Sequence, residues 1–405
     1  MINTVNSLKF GRIFILALLT AVSIEAVAQS DSILVTDKDT VAYRYTPIST
    51  VPVATKRNGW QRFVRYMVES EVDRSFEKRI DMTFVPALYY TPSTSLGLAV
   101  MAAGLYRIDK DNRNISPSNF SIYATGSLTG FYRVGVQGAN IFRDDQRRLL
   151  YNAEFYSQPT MFWGVGYDAA MEGTRLKYSF YTTSLDVRFL QRAAKGLYVG
   201  VGADFINFYK NLESAKYNIM ATGISLLVEY DTRDVISNPH SGVYVALQAK
   251  VRPKALGNLS KTLWGGRLSA NYYQKLWKGG LLALDLQTEI NSEGTPWLLN
   301  AKIGGSSAMR GYYAGRFNDL CAVTLQAELR QKIYKGLGAA VWGGAGNVFP
   351  TLESFDWRET LPTYGVGLRY EIRRNINVRF DYGFGRRDFD GKLIHGAVFS
   401  LNEAF

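Results

Sequence analysis

The sequence predicts an all-β fold, a transmembrane antiparallel β-barrel of about sixteen strands, preceded by a short periplasmic helix. Three observations support this prediction. A secretory signal peptide opens the chain, no later apolar run is long enough for a membrane-spanning helix, and apolar and polar residues alternate over 82–405. A closed barrel is the one sheet that leaves no unpaired backbone in lipid. These features together indicate the outer membrane of a Gram-negative bacterium.

Residues 1–28 have the three parts of a secretory signal peptide. Lys9 and Arg12 supply a basic start, an apolar run follows over 13–19, and Ala26-Val27-Ala28 matches the small-x-small cleavage pattern. The apolar run is too short to cross a bilayer as a stable helix. We therefore expect cleavage near Ala28 and export of the remaining chain.

Residues 29–81 are predicted to be a periplasmic linker followed by an amphipathic helix. The stretch 29–58 is rich in Ser and Thr and contains two prolines, which is typical of a linker. Over 59–77 the apolar residues recur at helical spacing and share one face; they are Trp60, Phe63, Val64, Met67, Val68 and Phe76. Packing under the barrel mouth, a mobile plug and a membrane-surface helix remain open as its role.

From residue 82 onward the period of the pattern changes to two, as in β-strands. In 282–291, Leu282, Leu284, Leu286, Thr288 and Ile290 alternate with Ala283, Asp285, Gln287, Glu289 and Asn291. A soluble β-sandwich alternates too. The membrane barrel is favoured because the strands reach about ten residues, the length of a tilted span, and because no helical segment interrupts them.

The predicted strands are centred near 86, 101, 123, 136, 153, 184, 203, 224, 248, 268, 286, 327, 343, 367, 381 and 398. Tight turns are expected at 194–196, 278–280, 335–336 and 374–375, and long connections at 157–174, 294–318 and 350–359. With a periplasmic N-terminus, all these tight turns fall inside and the long connections outside. This asymmetry is typical of outer-membrane barrels.

The composition excludes several classes of function. The formal charge of +12 is assigned to the lumen and to contacts with anionic lipid, and no nucleic-acid partner is expected for an exported chain. Cys321 is the sole cysteine, so no internal disulfide is expected. We predict no cofactor, no metal site and no enzymatic activity. The alternative of an outer-membrane lipase rests on His395, which opens the last strand.

The most specific motif is Gly304-Gly305-Ser306-Ser307-Ala308-Met309-Arg310-Gly311-Tyr312. It resembles the Arg-Gly-aromatic loop of the BamA–TamA superfamily, also called bacterial surface antigens. Further segments match that family in order and spacing: 230–234 with Pro239 and Gly242, 327–330, 346–349, 365–370 and 378–382. The resemblance is strong over 220–405 and weak over 82–220.

The resemblance implies a sixteen-stranded barrel whose loop folds back into the lumen. Arg310 would pair there with an acid of the inner wall, Gly311 would permit a tight turn, and Tyr312 would pack against the wall. The alternation places Glu328 on the lumen face, which makes it the first-choice partner because a buried guanidinium needs a charged partner. The family's acid in the thirteenth strand is replaced here by Gly344.

The resemblance also implies a role in inserting or translocating polypeptides at the outer membrane. Segment 29–81 is too short for a family POTRA domain, so a separate periplasmic accessory protein is a possible partner beside client polypeptides and lipid. A structural or passive-transport barrel is the alternative.

Pro86, Gly396 and Phe405 mark a candidate seam between the first and last strands. Pro86 cannot donate a ladder hydrogen bond and Gly396 allows a kink. Phe405 is expected to share one strand face with Leu401 and Phe399. The seam is interpreted either as a lateral gate or as an ordinary strand start and bulge.

Overall fold

The computed structural model describes Ser75 and residues 77–109, 117–211, 216–235, 238–334, 336–373, 376–401 and 403–405. All of them belong to one compact unit that spans 73–405. The predicted signal peptide, the predicted linker and nearly all of the predicted helix at 59–77 lie outside the described residues.

Sixteen antiparallel strands close into a barrel, which confirms the predicted fold class. The barrel strands are β1 Asp81–Thr91, β2 Ser95–Tyr106, β3 Ser118–Ser127, β4 Tyr132–Ile141, β5 Arg147–Ser157, β8 Tyr181–Ala194, β9 Leu197–Asn211, β10 Lys216–Asp231, β11 Gly242–Arg252, β12 Leu263–Trp277, β13 Gly280–Asn291, β16 Cys321–Tyr334, β17 Leu337–Phe349, β18 Leu361–Arg373, β19 Ile376–Arg387 and β20 Leu393–Leu401. Each predicted strand centre falls within one of these strands.

Two small hairpins lie in the long connections between barrel strands. They are formed by β6 Thr160–Phe162 with β7 Leu176–Tyr178 and by β14 Ala301–Ile303 with β15 Phe317–Asp319. The short helices are α1 Tyr167–Met171 and the 3-10 turns Arg143–Asp145, Lys254–Leu256, Trp297–Leu299, Leu352–Ser354 and Trp357–Glu359. In the described part of the chain, none of these helices has the length and apolar character needed to cross a membrane.

The outer face of the barrel is apolar and the inner face is polar. On β16 the outward Leu325 is 56% exposed, whereas its neighbours across the pleat include the buried Gln326 and Glu328. Strand β12 carries an exposed tryptophan toward each end, Trp264 and Trp277. Aromatic side chains at both ends of a span are the girdles expected at the two membrane interfaces.

The two long connections β5–β8 and β13–β16 pack against each other and against the barrel wall. Trp163 and Ala170 of the β5–β8 connection pack with Met309, Tyr312 and Phe317 of the β13–β16 connection. Ala322, Val348 and Leu361 of the barrel wall complete this apolar cluster. Burial of apolar surface therefore fixes the loop that carries the predicted motif against the inside of the barrel.

Candidate functional site

The motif residues lie in a tightly folded loop inside the barrel. Positive φ angles occur at Gly304 (95°), Gly305 (123°), Met309 (52°) and Gly311 (106°). Such angles cost little for glycine and are uncommon for other residues. They let the chain reverse within a few residues, so that Met309 and Arg310 are both fully buried.

Arg310 is held by two carboxylates and one aromatic ring. Its guanidinium lies 2.6 Å from Glu328 on β16 and 2.8 Å from Asp381 on β19, and all three side chains have no exposed surface. The indole of Trp342 on β17 lies 3.8 Å from the guanidinium carbon, within the range of a cation–π contact. A buried guanidinium is stable only with such compensation, and this loop obtains it from three different strands.

Asp381 takes the place of the acid that the family pattern leads one to expect near Gly344. A side chain at Gly344 has no room, because an added Cβ would lie 2.5 Å from the carbonyl oxygen of Leu325 and 2.7 Å from Cγ of Gln326. Gln326 instead accepts a hydrogen bond from the backbone N–H of Met309 at 3.1 Å. The second acidic partner thus reaches Arg310 from a strand further along the chain.

Further arginines share the two acids. Glu328 also pairs with Arg330 at 2.7 Å and with Arg369 at 3.2 Å. Asp381 pairs with Arg369 at 2.5 Å and with Arg379 at 2.6 Å. We call Arg310, Glu328, Arg330, Arg369, Arg379 and Asp381 the lumenal ion cluster. Because each acid serves several cations, a shift of one member changes the balance of the others.

Gly311 lies against two glycines of the closing strands. An added Cβ on Gly383 in β19 would lie 2.4 Å from the carbonyl oxygen of Arg310. An added Cβ on Gly396 in β20 would lie 3.1 Å from the carbonyl oxygen of Gly311. Gly383 and Gly396 are registered partners. The pair forms a slot for the loop backbone, and Gly396 leaves room there for Gly311. The register shift of this ladder lies between Phe384 and Arg387.

Tyr312 packs against the wall and is fixed by hydrogen bonds at its hydroxyl. The hydroxyl donates to the carbonyl oxygen of Pro362 at 2.7 Å and accepts from the backbone N–H of Arg386 at 2.7 Å. Its ring meets Phe317 edge-on with centroids 5.7 Å apart. Burial raises the pKa of Tyr312 to about 12, so the hydroxyl keeps its proton and its donor role.

Phe405 is not on the lipid-facing side of the last strand, and the prediction that grouped it with Leu401 and Phe399 is wrong. Strand β20 ends at Leu401, and Glu403–Phe405, hereafter the lumenal segment, lies inside the barrel. Its contacts include Glu403 with Arg369 at 2.8 Å, Arg330 with the Phe405 carbonyl oxygen at 2.9 Å, and the Phe405 ring with the cluster of Tyr273, Leu281 and Ala283. Arg369 and Arg330 attract Glu403 and the backbone oxygen of Phe405 into the lumen. The alternation pattern alone would have placed Phe405 in the barrel wall.

The Omp85 superfamily domain matches residues 69–405. The chain belongs to the Omp85 superfamily. This confirms the resemblance to the BamA–TamA superfamily stated from the motifs, and it places the barrel among outer-membrane proteins.

Two solved structures illustrate the likeness of the Omp85 barrel. BamA from Haemophilus ducreyi lacking POTRA domains 1–3 matches with a TM-score of 0.57 at 11% identity, over 80% of this chain and 70% of that one. CdiB from Acinetobacter baumannii matches with a TM-score of 0.53 at 12% identity, over 80% of this chain and 60% of that one. At such identities the likeness concerns the fold alone. The comparison with curated proteins found no match.

The seam of this Omp85 barrel is much shorter than its other strand junctions. In the described ranges, β1 and β20 are joined through one registered pair, Tyr90 with Phe399. Strands β1 and β2 share eleven such pairs. Pro86 is exposed and is registered with Val100 of β2. Two of the three residues predicted for the seam therefore lie in the seam strands, and Phe405 lies in the lumen.

His395, the residue considered for catalysis, pairs in this structure with a tyrosine hydroxyl. His395 lies on the exposed side of β20, where its Nδ1 is 2.7 Å from the hydroxyl of Tyr382. In a Ser–His hydrolase, the hydroxyl of the serine nucleophile would lie within hydrogen-bond distance of a histidine ring nitrogen, the position that the Tyr382 hydroxyl takes here. Among the described residues there is also no group of three or more potential metal ligands.

Asp381, Trp342 and Glu403 belong to the site but were not assigned to it from the sequence. The alternation of 376–385 already puts Asp381 on the polar face, which is a usable signal for a lumenal acid. No comparable signal exists for Glu403, because it follows the last strand.

Proposed function

We propose that this Omp85 barrel assists the insertion or translocation of polypeptides at the outer membrane by opening between β1 and β20. The observation that carries the proposal is the seam, with one registered pair where the neighbouring junction has eleven. Opening a barrel in lipid costs ladder hydrogen bonds, and that cost is lowest where the ladder is shortest. An exposed strand edge there is able to receive an additional strand from a client.

The lumenal loop supports the proposal because it contacts the closing strands from inside. Arg310 binds Asp381 on β19, and the backbone at Gly311 fits into the slot of Gly383 and Gly396 on β19 and β20. The position of these strands is therefore tied to the loop. A passive-transport barrel is less well supported, since an aqueous channel needs an open lumen and buried apolar side chains of the long connections pack against the inside of this one.

The proposal extends to location and partners. The chain would be exported, cleaved near Ala28 and placed in the outer membrane of a Gram-negative bacterium, with lipid around its apolar outer face. Its clients would be outer-membrane or secreted polypeptides, and a separate periplasmic accessory protein would deliver them. The segment 29–81 would remain periplasmic.

Disulfide locking of the seam tests the proposal. Opposed residues of an antiparallel ladder lie at a separation that a disulfide spans, so Tyr90→Cys with Phe399→Cys, in a Cys321→Ala background, would covalently close the seam. The matched control is Val136→Cys with Ala153→Cys, a registered pair of β4 and β5. Cells carrying either pair as the sole copy are compared with and without reductant, and outer-membrane protein abundance is measured together with solute uptake.

We expect the seam disulfide to lower the abundance of specific outer-membrane proteins and reductant to restore it, with no change in the control. Full client abundance with the seam oxidised would refute lateral opening. A change in solute uptake alone would favour the passive-transport alternative.

A further inference from the structure

The lumenal segment neutralises an excess of buried positive charge. The lumenal ion cluster contains four arginines and two acids, and Glu403 adds a third acid, with 4% of its side chain exposed. Glu403 lies 2.8 Å from Arg369 and 3.6 Å from Arg330. Without it, these arginines would depend on Glu328 and Asp381, the same two acids that hold the loop through Arg310. The lumenal segment and the loop are therefore bound by the same lumenal ion cluster: Glu403 binds Arg330 and Arg369, which also bind the acids that hold Arg310.

The aromatic end of the lumenal segment reinforces this position. The Phe405 ring lies 5.5 Å from the guanidinium carbon of Arg330 and 6.0 Å from that of Arg310. The same ring packs against Tyr273 of β12 and Leu281 of β13. These two strands do not belong to the seam between β1 and β20. One ring thus links the loop arginine to a fixed part of the wall.

The seam register defines a second place for the same residues. Continuing the pairing of Tyr90 with Phe399 would set Ala404 opposite Val85, Glu403 opposite Pro86 and Phe405 opposite Phe84. The segment therefore has two competing destinations, the lumen or the edge of β1. Pro86 has no N–H to donate in such a ladder, which weakens the second destination and favours the first.

We propose that Glu403–Phe405 is a latch that couples the loop to the seam. In the latched state Glu403 and Phe405 hold the arginines, Arg310 keeps its acids, and the β1–β20 ladder stays short. In the unlatched state the segment extends β20 along β1. Arg330 and Arg369, having lost Glu403, then pair more strongly with Glu328 and Asp381, and the ion pairs of Arg310 with these two acids weaken. The latch rests on the proposed function because it acts at the same seam. Its test uses no client polypeptide, so the latch and the role in polypeptide insertion can be refuted independently.

The test uses the full chain, refolded or native in detergent, with Val85→Cys and Ala404→Cys in a Cys321→Ala background. This cysteine pair forms a disulfide only when the segment lies along β1. Glu403→Gln removes the negative charge of this side chain and keeps its shape. Glu371→Gln is the matched control, because that acid pairs with Lys332 at 2.9 Å and is 31% exposed. Glu403→Asp retains the charge, and heat-modifiable migration in gels verifies a folded barrel.

We expect a low disulfide yield in the parent cysteine pair, a severalfold higher yield with Glu403→Gln, and a low yield again with Glu403→Asp and Glu371→Gln. Among these variants, only Glu403→Gln should show faster proteolysis of the loop over 304–316, because the ion pairs of Arg310 with Glu328 and Asp381 weaken in it. Equal disulfide yields in the parent and in Glu403→Gln, or a high yield in the parent, would overturn the latch. Accelerated proteolysis without a rise in yield would also overturn it, since loop and seam would then be uncoupled.

Discussion

The two sides of the lumen use charge in different ways. On the side of β16, β18 and β19, Arg310, Glu328 and Asp381 have no exposed surface. On the side of β12 and β13, Arg267 and Glu289 form an ion pair of 2.7 Å that is 57% and 29% exposed. The same residue types thus form a buried, shared network where the loop docks and a solvated pair at Arg267 and Glu289. Removing one member should cost much on the first side and little on the second.

The largest expected effect separates these two sides directly. Arg310→Ala should destabilise the docked loop by about 3 kcal/mol, the lower end for breaking a buried pair, because Glu328 and Asp381 keep other arginines. Arg267→Ala should cost about 1 kcal/mol or less, as expected for an exposed pair. Loop opening is measured by the rate of limited proteolysis and barrel integrity by heat-modifiable migration. Similar proteolysis rates in the two variants would remove the distinction between the walls.

A smaller effect should sharpen the comparison at the backbone. Gly383→Ala places a Cβ 2.4 Å from the carbonyl oxygen of Arg310, whereas Gly343→Ala meets nothing within 4 Å. We expect about 1–3 kcal/mol of loop destabilisation from this overpacking and no measurable change at Gly343. Urea titration of loop proteolysis in detergent gives both values. A silent Gly383→Ala would show that the loop does not enter the slot.

The barrel was predictable from the sequence to a far greater extent than the site. Alternation located every barrel strand, because each of these strands presents one face to lipid and one to the lumen. It missed the hairpins β6–β7 and β14–β15, since three residues per strand are too few to show a period. It also placed Glu328 inside, from where Arg310 is 2.6 Å away.

The remaining site residues depend on distances across the lumen, which no local pattern encodes. Asp381 lies on the polar face of the alternation over 376–385, but nothing local indicates that it pairs with Arg310, because β19 is remote from the loop in sequence. The position of Glu403 depends on the sum of charges on β16 and β18. Phe405 was assigned to the wall because the period of two was extended beyond the point at which β20 ends.

A third prediction concerns the aromatic part of the buried cluster. Trp342→Leu removes the ring that lies 3.8 Å from Arg310 and should raise loop proteolysis by an amount equivalent to about 1–2 kcal/mol. The control Trp357→Leu changes a tryptophan that is 80% exposed in the β17–β18 connection. An equal response of the two variants would mean that the ring contributes no specific attraction to Arg310.

The smallest expected effect is a pH dependence at the end of the lumen where the long connections meet. Asp388 lies 2.5 Å from Arg316, which also donates to the carbonyl oxygen of Ala170 at 2.9 Å. Burial opposes ionisation of Asp388, but hydrogen bonds from Arg316 and from the Phe389 N–H outweigh it and lower the pKa of Asp388. The stabilisation is therefore complete above the ordinary aspartate pKa of about 3.9 and is lost as the pH falls below it. Proteolysis of the β5–β8 connection with an acid-stable protease should accelerate on acidification through that range. Asp388→Asn should remove this acceleration, and a pH response that persists in the variant would assign it to another group.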